Sequence, residues 1–281
     1  MRIVRTVGEV RHAVREARGA GATIGFVPTM GALHEGHLSL LRRARAGTDY
    51  VVISVFVNAT QFNDAADLAA YPRTEAADAA MARGAGVDLF FAPDGSEMYP
   101  PGFATSVMVD GLSAPMEGAV RGPGHFRGVA TVVTKLFNIV APDVAYFGQK
   151  DAQQAVIVRR LARDLDLPLR VEVCPTVREA DGLAMSSRNA RLGPDDRGRA
   201  LALRRGLDAA EAALVAGERD AARVARAGQE AMRAHGVEPE YFEVVSPDTL
   251  EPLDTVVGDT LIAVAARVGP VRLIDNALIS V

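Results

Sequence analysis

Two histidines stand three residues apart in VPTMGALHEGHLSLLRRAR, residues 27–45, although the chain has only five histidines. If a helix begins at this point, its first N–H groups and positive dipole end form an anion site that His34 and His37 flank. Gly31 and Gly36 would let a bulky phosphate ligand approach the backbone. The motif lacks the His-Glu-x-x-His spacing of a zinc site. An equally weighted alternative is that one histidine caps the helix while the other packs.

A second candidate is a lysine in YFGQKDAQQ, residues 146–154. The chain has two lysines, Lys135 and Lys150, against 29 arginines, and Lys150 lies in a predicted strand-to-helix loop. A compact ammonium group is suited to stabilising a phosphate during its transfer. The alternative is that the arginine excess reflects genome composition and that Lys150 is an ordinary solvated side chain.

Two polar loops supply further candidates. The segment MSSRN, residues 185–189, offers two hydroxyls and a guanidinium, which could close over a triphosphate, although alone it is more typical of a surface turn. The segment NATQF, residues 58–62, places Asn58 and Gln61 after a predicted strand, and Gln154 is a similar amide. Such amides suit hydroxyl and carboxylate ligands. Neither a Walker A sequence nor the dinucleotide fingerprint occurs.

The segments between these candidates alternate between strand and helix patterns. Thr6 and Glu9 form a capping-box pattern before an amphipathic first helix. The predicted strands are TIGFV, YVVISVFV, DLFFAP, VAYFG and LRVEVCP, and the predicted helices between them are EGHLSLLRRARA, TEAADAAMARGAG, GVATVVTKLFNIV and DAQQAVIVRRLARDL. Apolar strands without a polar face require a parallel sheet covered on both sides. We predict a doubly wound, Rossmann-like α/β domain over residues 1–176, with ligands outside the carboxyl ends of its strands.

The pattern changes near Thr176. Two long helices, at about 195–216 and 219–235, precede the predicted strands YFEVVS, TLIAVAARV and VRLIDNALI. We therefore predict a smaller C-terminal α+β domain over residues 177–281, which would act as a lid.

Composition limits the classes of partner. The chain has 31 basic and 35 acidic residues, so it has no general attraction for nucleic acid or anionic lipid. Its longest apolar run, YVVISVFV, is too short to cross a membrane. The single cysteine, Cys174, cannot form an intramolecular disulfide, and the charged N-terminal segment argues against a signal peptide. We expect a cytoplasmic protein with small-molecule partners and neither nucleic acid nor membrane.

Taken in order, PTMGALHEGH, FVNATQF, YFGQKDAQQ and MSSRN resemble the pantothenate synthetase (pantoate–β-alanine ligase) family over nearly the whole chain. The HEGH segment is similar to the His-x-Gly-His motif of class I aminoacyl-tRNA synthetase-like nucleotidyltransferases, and Met185 to Arg188 to their mobile second motif. Many members have proline and tyrosine where this chain has Ala59 and Ala152, and neither difference replaces a predicted contact.

The resemblance implies ATP-dependent condensation of pantoate with β-alanine through a pantoyl adenylate, releasing AMP and pyrophosphate. The catalytic residues that it implies are His37 as the principal histidine, His34, Lys150, Ser186, Ser187 and Arg188. The ATP contacts that it implies are Met30, Gly31, Ala32, Leu33, His34, Glu35, Gly36, His37, Gly148, Gln149, Lys150, Asp151, Val177, Met185, Ser186, Ser187 and Arg188. Gln61 and Gln154 would bind pantoate, Gln61 would also bind β-alanine, and Asn58 is assigned to the same substrate site.

The resemblance also implies Mg²⁺ on the phosphates and a homodimer formed through the first domain. Asp78 is the predicted metal ligand, and Asp151 is the alternative. Another nucleotidyltransferase of the superfamily, acting on a phosphorylated substrate, would need extra basic residues in place of Gln61 and Gln154. An RNA-binding synthetase fragment would need a basic C-terminal domain, whereas residues 177–281 hold 13 arginines and no lysine against 17 acidic residues.

Overall fold

The computed structural model describes all 281 residues, which form two compact units. One unit comprises Met1–Gly148 and Ile157–Cys174, and the other comprises Gln149–Val156 and Pro175–Val281. The sequence assigns residues 149–156 to the first domain, whereas the structure groups them with the second unit. The physical reason is that hydrogen bonds hold the start of this segment to the last strand of the chain.

The first unit is built on parallel strands joined by helices. Its strands are β1 (Arg2–Val4), β2 (Ile24–Thr29), β3 (Tyr50–Val55), β4 (Leu89–Phe91), β5 (Val144–Gly148) and β6 (Arg170–Cys174). The helices along this part of the chain are α1 (Val7–Gly19), α2 (Glu35–Gly47), α3 (Ala65–Ala70), α4 (Glu75–Gly84), α5 (Gly95–Met98), α6 (Glu117–Arg121), α7 (Pro123–Val140) and α8 (Ala152–Asp164). The predicted alternation is confirmed. The unpredicted elements β1, α3, α5 and α6 have three to six residues each, too few to show a period.

The six strands lie in the order β1-β4-β3-β2-β5-β6, with every neighbouring pair parallel. The chain proceeds from β2 to β3 and β4 in one direction and from β5 to β6 in the other. The doubly wound α/β fold is therefore confirmed, and its winding reverses between β2 and β5. Ligands of such sheets bind outside the carboxyl ends of the strands at this switch point. Along the chain, the HEGH segment follows β2 and the lysine loop follows β5.

Helices cover both faces of this sheet. Successive side chains of a strand point to opposite faces. On one face, Val27 joins a buried cluster that includes Leu41 of α2 and Ala82 of α4. On the other face, the ring of Phe26 packs edge-on against Phe137 of α7, with the ring centroids 6.5 Å apart. The four inner strands, β2 to β5, lack a polar face because both of their sides are largely buried.

The first helix begins at the predicted capping box. The Thr6 hydroxyl oxygen accepts a hydrogen bond from the Glu9 N–H at 3.3 Å, and the Glu9 carboxylate accepts one from the Thr6 N–H at 2.9 Å. These reciprocal bonds satisfy two N–H groups that the helix itself leaves without partners. The local sequence pattern is therefore sufficient to predict this helix start.

The second unit packs helices on a small antiparallel sheet. It contains α9 (Pro194–Ala200), α10 (Ala202–Val215) and α11 (Ala221–Arg233), and the strands β7 (Pro239–Val245), β8 (Thr260–Val268) and β9 (Val271–Ile279) in that spatial order. The predicted α+β architecture is confirmed. The single helix predicted at 195–216 is wrong, because Leu201 has a turn-like ψ of −14° that divides it into α9 and α10. Ala200 and Leu203 both pack in the core.

No helix combines the length and the apolar character that crossing a bilayer requires.

Candidate active site

A buried aspartate holds the loop that follows β2. Asp78 of α4 is 2% exposed, and its carboxylate oxygens accept hydrogen bonds from the N–H groups of Ala32 at 3.0 Å and Leu33 at 2.8 Å. The Thr74 hydroxyl donates to the same carboxylate at 3.2 Å. Gly31 has φ +86°, and a Cβ there would lie 3.0 Å from Asp78 Oδ2. Glycine is therefore required for both the backbone conformation and the close approach.

The sequence predicts Asp78 as a metal ligand, with Asp151 as the alternative. The loop N–H groups already use both oxygens of Asp78. Asp151 is exposed and lies 3.5 Å from the Lys150 ammonium. The chain forms no group of three or more His, Cys, Asp or Glu side chains that could hold a metal ion. Asp78 anchors the loop in this structure, and a metal-ligand role for Asp78 or Asp151 stays a prediction.

The two histidines cap α2 reciprocally. His34 is the N-cap residue, and its Nδ1 accepts a hydrogen bond from the Gly36 N–H at 3.2 Å. The Nδ1 of His37 accepts one from the His34 N–H at 3.3 Å. The two ring centroids lie 4.2 Å apart. A Cβ at Gly36 would lie 2.9 Å from His34 Cε1, so glycine leaves room for this ring. Both histidines therefore take part in the cap.

This cap determines the tautomer of both imidazoles. An Nδ1 that accepts a hydrogen bond carries no proton, so the neutral ring carries its proton on Nε2. His34 and His37 are both partly exposed. Each therefore presents an Nε2–H donor in the first turn of a helix, where the dipole favours anions. Between them, Glu35 is exposed and ion-paired with Arg42. The helix start can hold phosphate oxygens.

A buried amide supports Gln61. Asn58 is 1% exposed, and its Nδ2 donates to Gln61 Oε1 at 3.0 Å and to the Gly128 carbonyl at 3.1 Å. Its Oδ1 accepts from the hydroxyls of Tyr99 at 2.8 Å and Thr60 at 2.9 Å. Burial raises the pKa of the Tyr99 hydroxyl, which keeps it a donor. All four hydrogen-bonding positions of the Asn58 amide are used, so its predicted substrate contact has no remaining donor or acceptor here.

Helix α7 fixes the other side of the short 3-10 turn Ala59–Gln61. A Cβ at Gly128 would lie 2.6 Å from the Thr60 carbonyl oxygen, which requires glycine. The Nδ1–H of His125 donates to the Gln61 carbonyl at 2.8 Å, since a carbonyl can only accept. Gln61 Nε2 lies 3.2 Å from the Met30 sulfur, in the loop after β2. The structure thus brings Gln61 to that loop.

In the second unit, Lys150 lies in the 3-10 turn Gln149–Asp151. Its side chain is 19% exposed. Asn276 of β9 holds this turn: its Nδ2 donates to the carbonyls of Gln149 and Lys150, both at 2.9 Å. The Gln149 side chain donates in return to Asn276 Oδ1 at 2.9 Å. Sequence reasoning does not identify Asn276, because it is 126 residues from Lys150 and belongs to no chemical motif.

The MSSRN segment is anchored at both ends. The Met185 N–H donates to the Val177 carbonyl at 3.0 Å. The buried Asn189 side chain donates to the Ala184 carbonyl at 3.0 Å. Ser186 caps the 3-10 turn that follows it. The two serines and the arginine between these anchors are partly exposed.

The predicted residues are therefore organised within each unit. In the first unit, the HEGH cap, the loop before it and Gln61 form one continuous set of contacts. In the second unit, the Lys150 turn is held by the sheet, and Gln154 follows in the first turn of α8, partly exposed. The MSSRN segment and Val177 belong to the same unit.

Comparison with known proteins gives the family. The model of the family described as pantoate-beta-alanine ligase matches residues 2–278. The chain belongs to the pantoate–β-alanine ligase family. Membership makes it an enzyme, a ligase, and the predicted resemblance is confirmed. The pantothenate synthetase of Pelotomaculum thermopropionicum is 53% identical over 280 residues, which is 99% of each chain.

Solved structures of the pantoate–β-alanine ligase family share the whole fold. The crystal structure of pantothenate synthetase from Thermus thermophilus is 51% identical, covers 99% of each chain and has a TM-score of 0.93. The pantoate-beta-alanine ligase of Francisella tularensis, in a complex with beta-gamma ATP and beta-alanine, is 32% identical. It covers 99% of this chain and 97% of its own, with a TM-score of 0.80. Both units therefore belong to the family fold.

Proposed function

We propose that the chain condenses pantoate with β-alanine through a pantoyl adenylate, using ATP and releasing AMP and pyrophosphate. Family membership over residues 2–278 supports the overall reaction. The observation that carries the adenylate route is the reciprocal cap of α2, in which His34 and His37 present Nε2–H donors at a helix N-terminus. Such a site suits pyrophosphate as a leaving group.

The order of bond changes follows from the reactants. A carboxylate is a poor electrophile toward an amine, so it must be activated first. A pantoate carboxylate oxygen attacks the α-phosphorus of ATP, and the bond to pyrophosphate breaks. The β-alanine amine then attacks the acyl carbon, loses a proton, and displaces AMP. No step requires a nucleophile from the protein.

We propose that the first unit binds ATP through residues 30–37. His37 and His34 donate from Nε2 to phosphate oxygens, and the negative charge on the leaving pyrophosphate strengthens these bonds. The Glu35 carboxylate is engaged by Arg42, so its contact with ATP uses the backbone N–H. Met30, Gly31, Ala32 and Leu33 contribute through the loop that Asp78 holds.

We propose that the second unit supplies the cationic groups. Lys150 stabilises charge on the phosphate under attack, and its neighbours Gly148, Gln149 and Asp151 contact ATP along the same stretch of chain. Ser186, Ser187 and Arg188 donate to the β and γ phosphates, with Met185 and Val177 beside them. A planar guanidinium with five donors suits phosphate oxygens.

We propose that Gln61 and Gln154 bind pantoate and that Gln61 also binds β-alanine. Asn58 donates to Gln61 Oε1, which fixes the orientation of the Gln61 amide. One hydrogen of the Gln61 amide nitrogen faces the Met30 sulfur. The other hydrogen of that nitrogen is then the donor available to substrate. A nitrogen donor suits a hydroxyl or carboxylate oxygen. Asn58 acts through Gln61.

We propose that Mg²⁺ arrives as part of the ATP substrate, held by phosphate oxygens and water, because the chain forms no cluster that would hold it. We also propose a cytoplasmic homodimer formed through the first domain. The family resemblance supports the dimer. The single cysteine, which allows no intramolecular disulfide, fits a reducing compartment.

An assay of products tests this function. The purified chain is supplied with Mg²⁺-ATP, and pantoate and β-alanine are added singly and together. We expect continued formation of AMP and pyrophosphate, in equal amounts with pantothenate, only when both are present. Reactions that lack one substrate are the controls. Formation of ADP and inorganic phosphate would contradict the proposal.

A further inference from the structure

The Asn276 side chain forms three hydrogen bonds with the turn that contains Lys150. It is 5% exposed. Both Nδ2 hydrogens go to carbonyls of the turn, at Gln149 and Lys150, and its Oδ1 accepts from the Gln149 side chain. The amide therefore has no hydrogen-bonding position left for another partner except the second lone pair of Oδ1. Its contacts are with backbone and with a neighbouring amide.

Neighbouring residues of β8 and β9 hold Asn276 itself in place. Asn276 pairs with Ala263 of β8, and its backbone N–H donates to Asp275 Oδ1 at 2.8 Å. Asp275 is 3% exposed and receives two hydrogen bonds from the Arg178 guanidinium, at 2.7 and 3.1 Å. Two parallel hydrogen bonds from one guanidinium give the pair a fixed geometry. These contacts fix the backbone of Asn276 and so restrict the position of its side-chain amide next to the turn.

The turn has little stability of its own. It is three residues long, a length at which 3-10 geometry forms weak hydrogen bonds. A misplacement of about 1 Å in a catalytic group costs roughly 10²-fold in rate. The position of the Lys150 ammonium therefore depends on what holds the backbone beneath it, and Asn276 holds two successive carbonyls there.

We propose that Asn276 is a positioning residue for adenylyl transfer: it fixes the Gln149–Asp151 turn and so places Lys150, without touching substrate. This inference rests on the proposed function, in which Lys150 acts on ATP. It assigns a role in the reaction to a residue of the C-terminal sheet that carries no recognisable motif.

The test combines two substitutions in a double-mutant cycle. Asn276→Ala should lower the kcat of pantothenate formation by about 10- to 100-fold. The KM for β-alanine should change little, because its proposed contact, Gln61, lies in the other unit. In a Lys150→Ala background, the same substitution should change kcat less than about 2-fold, because residues that act through one another are not additive. Equal losses in both backgrounds would overturn the inference.

Two further variants separate positioning from folding. Asn276→Asp keeps the shape and the acceptor for Gln149 but removes both donors to the carbonyls, so it should resemble Asn276→Ala in kcat. Thr260→Val is the matched control, since Thr260 is fully buried in the same sheet and donates one hydrogen bond to the Gly258 carbonyl. It should leave kcat unchanged. An active Asn276→Asp variant would overturn the inference.

Hydrogen exchange gives a readout that does not depend on turnover. Asn276→Ala should increase exchange in peptides that cover residues 149–156 and leave α11 protected. If the wild-type chain makes no pantothenate, the proposed function fails, and exchange alone decides whether Asn276 holds the turn. If the chain is active but Lys150→Ala has no effect, the positioning role is overturned while the overall function stands. Unchanged exchange would also overturn it.

Discussion

At the scale of single residues, the atom with which each histidine caps α2 determines its chemistry. His34 and His37 accept backbone hydrogen bonds at Nδ1 and therefore donate from Nε2. Proton uptake at either Nδ1 would remove an acceptor from the helix start. The cap and the proposed phosphate contact thus use opposite sides of the same rings, and only the cap requires an unprotonated Nδ1.

One substitution separates these two uses. Asparagine is a favoured N-cap residue but cannot reach as far as an imidazole Nε2. We expect His34→Asn to keep the thermal midpoint near that of the wild type and to lower the rate of pyrophosphate release by about 10²-fold. His34→Ala, which lacks the cap, should lower both the thermal midpoint and the rate of pyrophosphate release. Full activity in His34→Asn would show that His34 serves only as a cap.

The two lysines provide an internal comparison. Lys150→Ala should slow AMP formation by roughly 10² to 10³-fold, the loss expected on removing one preorganised charge-stabilising group. Lys135→Ala is the control. Its ammonium lies 4.7 Å from the centroid of the Phe103 ring, so its loss should affect stability slightly and turnover little. Similar rate losses in both variants would remove the specific role of Lys150.

At the scale of elements, local pattern and long-range contact contribute separately. The Thr6–Glu9 cap and the start of α2 are encoded within a few residues, which is why the sequence predicts them. The roles of Asp78 and Asn276 depend on contacts between residues that are 45 or more positions apart. The hydrophobic periodicity of a short segment carries no information about such long-range contacts. The break between α9 and α10 lies at Leu201, whose backbone ψ of −14° the apolar spacing does not show.

The MSSRN segment is anchored at its two ends, and we expect ATP to order the residues between them. Met185 and Asn189 are tied to the backbone of their own unit, whereas the hydroxyls and the guanidinium between them are partly exposed. We expect hydrogen exchange in residues 185–188 to slow when ATP is added, because the ligand adds hydrogen bonds to these partly exposed side chains. Peptides from α11 serve as the control. Exchange that ATP leaves unchanged would argue against a lid.

At the scale of the whole molecule, the family match covers both units, and each unit carries a distinct part of the proposed chemistry. The first unit contains the sheet switch point, the histidine cap and Gln61. The second contains Lys150, the MSSRN segment and the strand that supports the lysine turn. Neither unit alone has the full set of residues that the proposed reaction needs, so we assign the activity to the full chain.

The most direct test of the adenylate route follows an oxygen atom. Pantoate labelled with ¹⁸O in its carboxylate is converted with unlabelled ATP and β-alanine, and the products are analysed by mass spectrometry. If the carboxylate attacks the α-phosphorus, one labelled oxygen stays with phosphorus when the amine displaces AMP, so each AMP should carry one heavy oxygen. AMP without label, or label in inorganic phosphate, would contradict the account.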